Sequence, residues 1–307
     1  MEKRDRMKWK TPEPRPYYSK YKRIPVENDC GGWFQVYELD HDILAICEPQ
    51  HLQEVNVYII KGRDRALMLD TGMGICNIEP LVRELWPGEL KIVNCHRHFD
   101  HTGNNWRFPE ILVADEEGAL RQAREGCPHE PLANQADEDM FLFDYPKDFI
   151  PEEYCIRPYN AKPVEDGHVF DLGEREVELI YTPGHLEDHL MLYDRRGGIL
   201  FSGDMIYLGA IYVQFGNDIL GYSDLEEYIQ SLEKIREKFP EINAVYTSHN
   251  DFIMPPDCIE MIHDAMVKVR DGEVEGTPLK DEKYGYYGDP ETMKQYFFDG
   301  FSIVYSR

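Results

Sequence analysis

The sequence has no long apolar run. No stretch of its 307 residues approaches the roughly 20 consecutive apolar residues that a membrane-spanning helix requires. The first eight residues, Met-Glu-Lys-Arg-Asp-Arg-Met-Lys, are mostly charged and lack the apolar stretch of a secretory signal. These absences argue against a membrane protein and predict a cytoplasmic one.

Cysteines are few and irregularly spaced. The seven cysteines are an odd number, and none of them forms a Cys-x-x-Cys pair, the spacing that many zinc and redox sites use. We therefore predict reduced thiols in a reducing compartment.

Basic residues are scarce as well. Lys and Arg number 33 against 58 Asp and Glu, so the formal net charge is −25. Nucleic acid is excluded as the expected partner, because binding its backbone requires Lys and Arg to displace condensed counterions. Residues 1–23 are the exception, with nine bases against three acids. We interpret them as a basic N-terminal arm that lies on the acidic body of its own chain; an arm that crosses to a second subunit of a homo-oligomer is the alternative.

The densest chemical signal is the run from His96 to His101, which contains three imidazoles and a carboxylate. The side chains of His96, His98 and Asp100 alternate along an extended segment and can point the same way, while His101 can turn to a second centre. Imidazole and carboxylate ligands without thiolate suit Zn, Fe or Mn and leave room for a bound water. The spacing therefore predicts a metal site.

Three further candidate ligands, His185, Asp204 and His249, each follow an apolar, strand-like run. Taken singly, each is equally well explained as an ordinary turn, core or surface residue. Together with the first cluster they make seven ligands, enough for two metal ions that share one bridging carboxylate.

Strand-like and helical runs alternate along the chain without repeats, which is typical of a layered α/β domain. A helix is indicated where Ser223 and Glu226 form a capping box, with Pro240 at its end. Another starts at Pro256 and Asp257. The predicted strands lie near 33–38, 43–47, 55–60, 66–69, 91–95, 111–114, 176–181, 189–193, 198–202 and 243–247.

These motifs, together with the apolar strand and turn from Val55 to Gly74, resemble the metallo-β-lactamase superfamily over about Trp33 to His249. The resemblance implies a four-layer αββα sandwich, with two mixed β-sheets flanked by helices, in a single domain spanning 24–307 whose last part, 256–307, is a helix and strand extension. It also implies two divalent metal ions per chain, Zn²⁺ first, with Fe or Mn as alternatives. His96, His98 and His185 would hold the first ion, Asp100, His101 and His249 the second, and Asp204 would bridge them. Asp70 would support the site from behind.

The resemblance is closest to the lactonase and glyoxalase II-like branch. It implies a dinuclear hydrolase in which a metal-bridging hydroxide attacks the carbonyl of a carboxylic ester or lactone, with a thioester next. The catalytic candidates are Asp100 and Tyr207, because lactonases of this superfamily carry a tyrosine at the position of Tyr207. A core packing role is the alternative for Tyr207. The rival function is a mononuclear iron oxidoreductase similar to persulfide dioxygenases.

Residues 126–165 interrupt the alternation of strands and helices. They contain several prolines and aromatic residues, and nine acids against three bases. A long stretch without periodicity in a compact domain is typically disordered or functional, and the aromatic residues favour order. We predict a lid over the metal cleft whose negative charge selects a neutral small-molecule substrate over an anionic one.

Overall fold

The computed structural model describes residues 16–279, 288–289 and 291–306. Most of the predicted basic arm, residues 1–15, lies outside the described residues, as does the segment 280–287 of the predicted C-terminal extension. Among the helices in the described part, none is long and apolar enough to cross a membrane. The α-helices described are α1 Glu79–Leu85, α2 Phe99–Thr102, α3 Glu117–Glu125, α4 Leu225–Lys238 and α5 Cys258–Asp271.

The strands in the described part of the chain belong to two large sheets and two small ones. In chain order, the described strands are β1 Lys22–Ile24, β2 Gln35–Leu39, β3 Ile43–Cys47, β4 Asn56–Lys61, β5 Arg65–Leu69, β6 Glu89–Val93, β7 Ile111–Ala114, β8 Ala161–Val164, β9 Val169–Asp171, β10 Glu176–Tyr181, β11 Leu190–Asp194, β12 Ile199–Phe201, β13 Ala210–Val213, β14 Gly216–Asn217, β15 Gly221–Tyr222, β16 Ala244–Tyr246, β17 Ile253–Met254, β18 Thr277–Pro278, β19 Lys294–Phe297 and β20 Ser302–Tyr305.

The first large sheet contains β1 to β8 in sequential order. Its strands are antiparallel from β1 to β5 and parallel from β5 to β8. The second has the order β17-β16-β12-β11-β10-β9, with β12 and β16 parallel. Parallel neighbours need crossover connections, and these place α1 and α3 beside the first sheet and α4 beside the second. The two small sheets have the order β13-β20-β19-β18 and β14-β15.

Alternating side chains on the central strands separate the apolar core into layers. On β5, Leu67 and Leu69 belong to the same buried cluster as Leu190 and Leu192 on β11 of the other sheet. Because successive side chains on a strand point to opposite faces, this cluster lies between the two sheets.

The outward faces of both sheets are covered by helices. Met68 on β5 lies in a cluster with Leu81 of α1, and Met191 on β11 lies in a cluster with Leu232 of α4 and Ile262 of α5. The layers therefore follow the order helix, sheet, sheet, helix. The predicted αββα sandwich of mixed sheets is confirmed.

The helix predicted after Ser223 does form, but its cap differs from the prediction. Asp224 is the capping residue, and its carboxylate accepts a hydrogen bond from the Glu227 N–H at 2.9 Å. The Ser223 hydroxyl instead donates to the His185 carbonyl at 2.7 Å. The capping box of Ser223 and Glu226 was therefore wrong, because tertiary structure recruits the serine elsewhere.

Residues 126–165 are ordered and largely irregular, with 3-10 turns at Glu130–Ala136, Glu138–Met140 and Pro151–Glu153. Leu132, Phe141 and Tyr154 are buried in the same cluster as α1. The end of the segment joins the first large sheet as β8. A lid role over the cleft stays a prediction.

Cys30 and Cys76 form a disulfide, so the prediction of reduced thiols is wrong for this pair. Their Cα atoms lie 6.4 Å apart and they are 46 residues apart in sequence. Glu48 joins the same two segments, since its carboxylate accepts from the Trp33 Nε1–H and the Met73 N–H. This meeting of distant loops leaves no local spacing signal in the sequence.

Candidate metal centre

All seven predicted ligands lie beyond the carboxyl ends of strands. The segments that carry them follow β6, β10, β12 and β16, and Asp70 follows β5. Strands that run in the same direction bring their carboxyl ends to one edge of a sheet, where clefts form in open α/β folds. The structure thus brings together side chains spread over 154 residues of sequence, each of them at most 5% exposed: His96, His98, Asp100, His101, His185, Asp204 and His249.

The first cluster contains His96, His98, His185 and Asp204, whose ligand atoms all lie within 4.8 Å of one another. His98 Nδ1 and His185 Nε2 are 3.1 Å apart. The opposite nitrogens bond to backbone carbonyls: His98 Nε2 to Leu220 O at 3.0 Å and His185 Nδ1 to Tyr212 O at 2.8 Å. A carbonyl only accepts, so each of these nitrogens carries the proton and the inward nitrogen keeps its lone pair.

The second cluster contains Asp100, His101 and His249. His249 Nε2 lies 3.6 Å from Asp100 Oδ2, and His101 Nε2 lies 3.7 Å from Asp100 Oδ1. Behind them, His101 Nδ1 bonds to Asp70 Oδ2 at 2.8 Å and His249 Nδ1 bonds to Gln53 O at 2.7 Å. Each imidazole of this cluster therefore also turns its Nε2 inward.

Asp204 divides its carboxylate between the two clusters. Its Oδ2 lies 3.9 Å from His96 Nε2 and 3.7 Å from His185 Nε2. Its Oδ1 lies 3.1 Å from His101 Nε2 and 3.0 Å from His249 Nε2. One carboxylate thus faces both sets of nitrogens.

His189 holds the backbone of Asp204 from behind. Its Nε2 accepts a hydrogen bond from the Asp204 N–H at 3.1 Å, and its Nδ1 lies 2.9 Å from the Thr182 hydroxyl. Both ring nitrogens are engaged, which favours a positioning role over a ligand role.

The electrostatic environment suits cation binding. Burial lowers the pKa of His96 and His98 well below the ordinary value and lowers the pKa of His185 to about 4. Burial raises the pKa of Asp204, but the nearby imidazoles, those of His249 and His101 above all, outweigh it and hold that pKa well below its ordinary value. The first cluster therefore offers neutral imidazoles beside an ionised carboxylate, the protonation states that metal ligands need. In the second cluster, burial lowers the pKa of His101 and His249, but nearby acidic groups, Asp204 among them, outweigh it and raise both pKa values. A metal ion that binds there must displace protons from these two rings.

Three buried polar atoms in this centre make no hydrogen bond of good geometry, although two of them lie only 3.1 Å apart: His96 Nε2, His101 Nε2 and Asp204 Oδ1. Unsatisfied buried polar atoms are rare in folded proteins because each carries a desolvation cost. A bound divalent cation would satisfy such atoms, so the side chains present fit metal binding.

Cys95 and Asp70 support the centre from below. The Cys95 N–H donates to Asp70 Oδ1 at 2.8 Å, and the Cys95 Sγ lies 3.0 Å from Asp70 Oδ2. Burial raises the pKa of the Cys95 thiol well above its ordinary value, so the sulfur is a protonated donor to Asp70. Asp70 in turn holds His101.

A match to the family described as metallo-beta-lactamase superfamily covers residues 52–249. The chain belongs to this superfamily. The family prediction made from the sequence is confirmed, and the matched range includes all seven candidate ligands.

Two proteins similar to this chain are thioesterases. The acyl-coenzyme A thioesterase MBLAC2 of Gallus gallus is 28% identical over 217 residues, which cover 67% of this chain and 76% of that protein. The atrochrysone carboxyl ACP thioesterase of Aspergillus fumigatus is 28% identical over 190 residues, covering 60% of this chain and 48% of that one. Among solved structures, the DIM-1 metallo-beta-lactamase exposed to ceftazidime aligns with a TM-score of 0.55 and 14% identity over 77% of this chain and 97% of that chain, a likeness of fold alone.

In this metallo-β-lactamase superfamily protein, Tyr207 lies beside the second cluster. Its ring centroid is 5.0 Å from that of His249, and its hydroxyl donates to the Ala210 carbonyl at 2.5 Å. The hydroxyl therefore already has an acceptor, which favours the packing interpretation. Its catalytic role stays a prediction.

Proposed function

We propose that this protein is a hydrolase that holds two divalent metal ions and cleaves a thioester. The observation that carries the proposal is the placement of Asp204, whose Oδ2 faces one group of imidazoles while its Oδ1 faces the other. A carboxylate in that position can bind two ions at once.

The prediction of a hydrolase that acts on ester, lactone or thioester bonds is confirmed at that level by the thioesterase relatives. Within this class we now place a thioester ahead of an ester or lactone. The two relatives support that order. The hydrogen bond from the Tyr207 hydroxyl to the Ala210 carbonyl also supports it, because Tyr207 was the main residue-level reason for preferring a lactone or ester.

Two bound divalent ions would supply hydroxide at neutral pH and polarise the substrate carbonyl. His96, His98 and His185 would hold one ion and His101, His249 and Asp100 the other. The hydrogen bonds to backbone carbonyls and to Asp70 fix which ring nitrogen faces inward, so most of these imidazoles need no reorientation before they bind an ion. A catalytic role for Asp100 beyond that of a ligand stays a prediction.

The donor set supports zinc as the first choice of metal. All seven candidate ligands offer imidazole nitrogen or carboxylate oxygen, which suits Zn²⁺, and Fe or Mn are the alternatives. The rival proposal of one iron on three ligands would leave the second cluster without a purpose, although that cluster is as deeply buried as the first.

Metal analysis and ligand variants test the proposal. We expect about two zinc ions per chain in protein purified without added metal, and hydrolysis of an acyl thioester in a panel that also contains esters, lactones and β-lactams. His98→Ala should lose metal from one cluster, Asp204→Ala from both, and each should abolish hydrolysis while the protein stays folded. His168→Ala is the control, since His168 is exposed and packs against the Phe170 ring rather than lying in the centre.

A wild-type rate in either ligand variant would contradict the proposal, as would one iron per chain with oxygen consumption.

The predicted neutrality of the substrate is tested in the same assay with two thioesters that share one acyl group and differ in the thiol. One carries neutral N-acetylcysteamine and the other phosphate-bearing coenzyme A. The neutral-substrate proposal fails if the coenzyme A thioester has the higher kcat/KM.

A further inference from the structure

Arg97 lies in sequence between two of the candidate ligands and is as buried as they are. The side chains of Arg97 and Asp188 are each 2% exposed. Arg97 Nη1 donates to Asp188 Oδ1 at 2.9 Å, and Nη2 donates to Glu187 Oε1 at 2.6 Å. A guanidinium taken out of water must be paired, and here the pairing ties the segment of His96 and His98 to the segment that follows His185.

The contacts of Glu187 extend this connection to a third segment. Its second oxygen, Oε2, accepts from the Tyr222 N–H at 3.0 Å. Two residues earlier, the Leu220 carbonyl accepts from His98 Nε2 at 3.0 Å. The contacts thus form a closed circuit. Arg97 binds Glu187, Glu187 binds the hairpin of β14 and β15, and that hairpin binds His98, the residue next to Arg97.

The guanidinium has little freedom in this circuit because backbone surrounds it closely. A Cβ atom at Gly118 would lie 2.5 Å from Arg97 Nη1, and one at Gly221 would lie 2.6 Å from Nη2. Gly221 also has a φ of +105°, which side chains rarely adopt. Two glycines therefore make the space that the planar group fills.

The second cluster depends on other supports. His101 is held by Asp70 and His249 by the Gln53 carbonyl, each through Nδ1. A change at Arg97 should therefore affect the two clusters unequally.

We propose that Arg97 is a positioning residue that sets the geometry, and hence the affinity, of the first metal site, through its ion pairs with Asp188 and Glu187. The proposal rests on the proposed function, since it requires metal in that cluster. Groups that orient metal ligands from behind commonly change metal affinity by roughly ten- to a hundredfold. Arg97 would do so from within the ligand motif itself, with its partners supplied by the His185 segment.

The test is a Co²⁺ titration of metal-free protein, monitored by calorimetry and by the visible absorption of bound cobalt. Arg97→Met should weaken the first site by roughly ten- to a hundredfold and alter its absorption, while the affinity of the second site stays within about twofold of wild type. His185→Ala and His249→Ala assign the two binding steps, since each removes a ligand of one cluster only. Unchanged affinities in Arg97→Met would overturn the proposal.

Arg175→Met is the matched control for the loss of a buried ion pair. Arg175 Nη2 lies 2.7 Å from Asp194 Oδ2, and both side chains are 0% exposed. Asp194 ends β11, the strand that begins next to His189, so this pair lies at the far end of the strand from the centre. Arg175→Met should lower stability and leave both Co²⁺ affinities unchanged. An equal loss of affinity in this variant would mean that Arg97 acts only through general stability.

Two further variants separate positioning from stability. In Arg97→Met with Asp188→Asn, removal of the uncompensated buried carboxylate should restore part of the stability, but the first-site affinity should stay low. Recovery of both would overturn the proposal. Glu187→Gln breaks only one of the two pairs at a partly exposed residue, and it should fold and weaken the first site severalfold even if Arg97→Met does not fold.

The same titration separates failure of this inference from failure of the proposed function. If wild-type protein binds no Co²⁺ at the centre, the proposed function fails. If wild-type protein binds two ions and hydrolyses thioesters, and Arg97→Met and Glu187→Gln behave identically to it, only the role of Arg97 fails.

Discussion

Glu48 is a buried carboxylic acid between the segment of Trp33 and the loop after β5. Its side chain accepts hydrogen bonds from the Trp33 Nε1–H and the Met73 N–H. Burial nevertheless raises its pKa from 4.5 to about 7, because desolvation outweighs those two bonds. A single residue thus titrates near neutral pH without being a candidate ligand.

The raised pKa of Glu48 predicts a pH-dependent stability. The folded protein holds this proton up to about pH 7, whereas the unfolded chain releases it near pH 4.5. The contribution of Glu48 to stability is therefore fully present below pH 4.5 and is lost as the pH rises through 7. Between about pH 4.5 and about pH 7, the free energy of unfolding of wild-type protein should fall relative to that of Glu48→Gln, which cannot ionise.

Denaturant unfolding at several pH values measures this difference. Glu38→Gln is the control, since the Glu38 side chain is 50% exposed and lies on β2 beside Lys22. Parallel pH profiles for wild type and Glu48→Gln would show that Glu48 ionises normally in the folded protein.

At the scale of elements, Asp224 both caps helix α4 and ties it to the loop that carries His185. Asp224 caps the helix through its carboxylate, and its own N–H donates to the Gly184 carbonyl at 2.9 Å. Asp224→Ala should lower the free energy of unfolding by about 1 kcal/mol through loss of the side-chain cap. Since the backbone bond to Gly184 remains, bound metal should be unchanged.

Thermal or denaturant unfolding measures the effect of Asp224→Ala, with Glu226→Ala as the comparison. Glu226 was the second member of the predicted capping box, and in the structure it is an exposed partner of Arg270. Its replacement should cost less than about 0.5 kcal/mol. A larger cost for Glu226→Ala than for Asp224→Ala would restore the original capping assignment.

The strands that the sequence predicted correctly are those with a clear local pattern of apolar residues. In β5 the run from Ala66 to Leu69 is apolar throughout and is buried on both faces. By contrast, β13 pairs with β20, whose partner residues lie about 90 positions away, and β19 reads Lys-Gln-Tyr-Phe with much of it exposed. Pairing between such distant, half-polar segments has no local signature. Similarly, α3 buries mainly Ala119, Gln122 and Ala123, too small and polar a face to stand out.

The candidate site likewise contains some groups that the sequence reveals and others that it does not. Its side-chain ligands were identifiable because imidazole and carboxylate in close spacing are chemically distinctive. The groups that hold them include the carbonyls of Gln53, Tyr212 and Leu220, and every residue has a carbonyl. Only the fold determines which carbonyl meets which imidazole, and only the fold brings Arg97 to Asp188.

On the scale of the whole molecule, the Cys30–Cys76 disulfide closes a 46-residue interval. In the chain-entropy account, a loop of that size stabilises the folded protein by about 4 kcal/mol, since the unfolded chain loses freedom. Cys30→Ser should therefore lower the free energy of unfolding by about that amount under oxidising conditions. Cys30 is exposed while Cys76 is buried, so the exposed residue is the conservative one to replace.

Unfolding with and without dithiothreitol supplies the comparison. Reductant should lower the stability of wild-type protein toward that of Cys30→Ser and leave the variant unchanged. Cys155→Ser is the control, because Cys155 is a free cysteine outside the deep core. Equal stability of wild type and Cys30→Ser without reductant would show that the bond does not contribute.

The two edge strands of the eight-stranded sheet affect whether copies of the molecule aggregate through their sheets at high concentration. An open edge can template the addition of a foreign strand, which begins aggregation. Here β1 has only three residues, with Lys22 and Arg23 exposed. At the other side, β8 exposes Lys162 and Pro163, and proline offers no N–H for a new strand. The largest sheet therefore ends at both sides in residues that stop its growth.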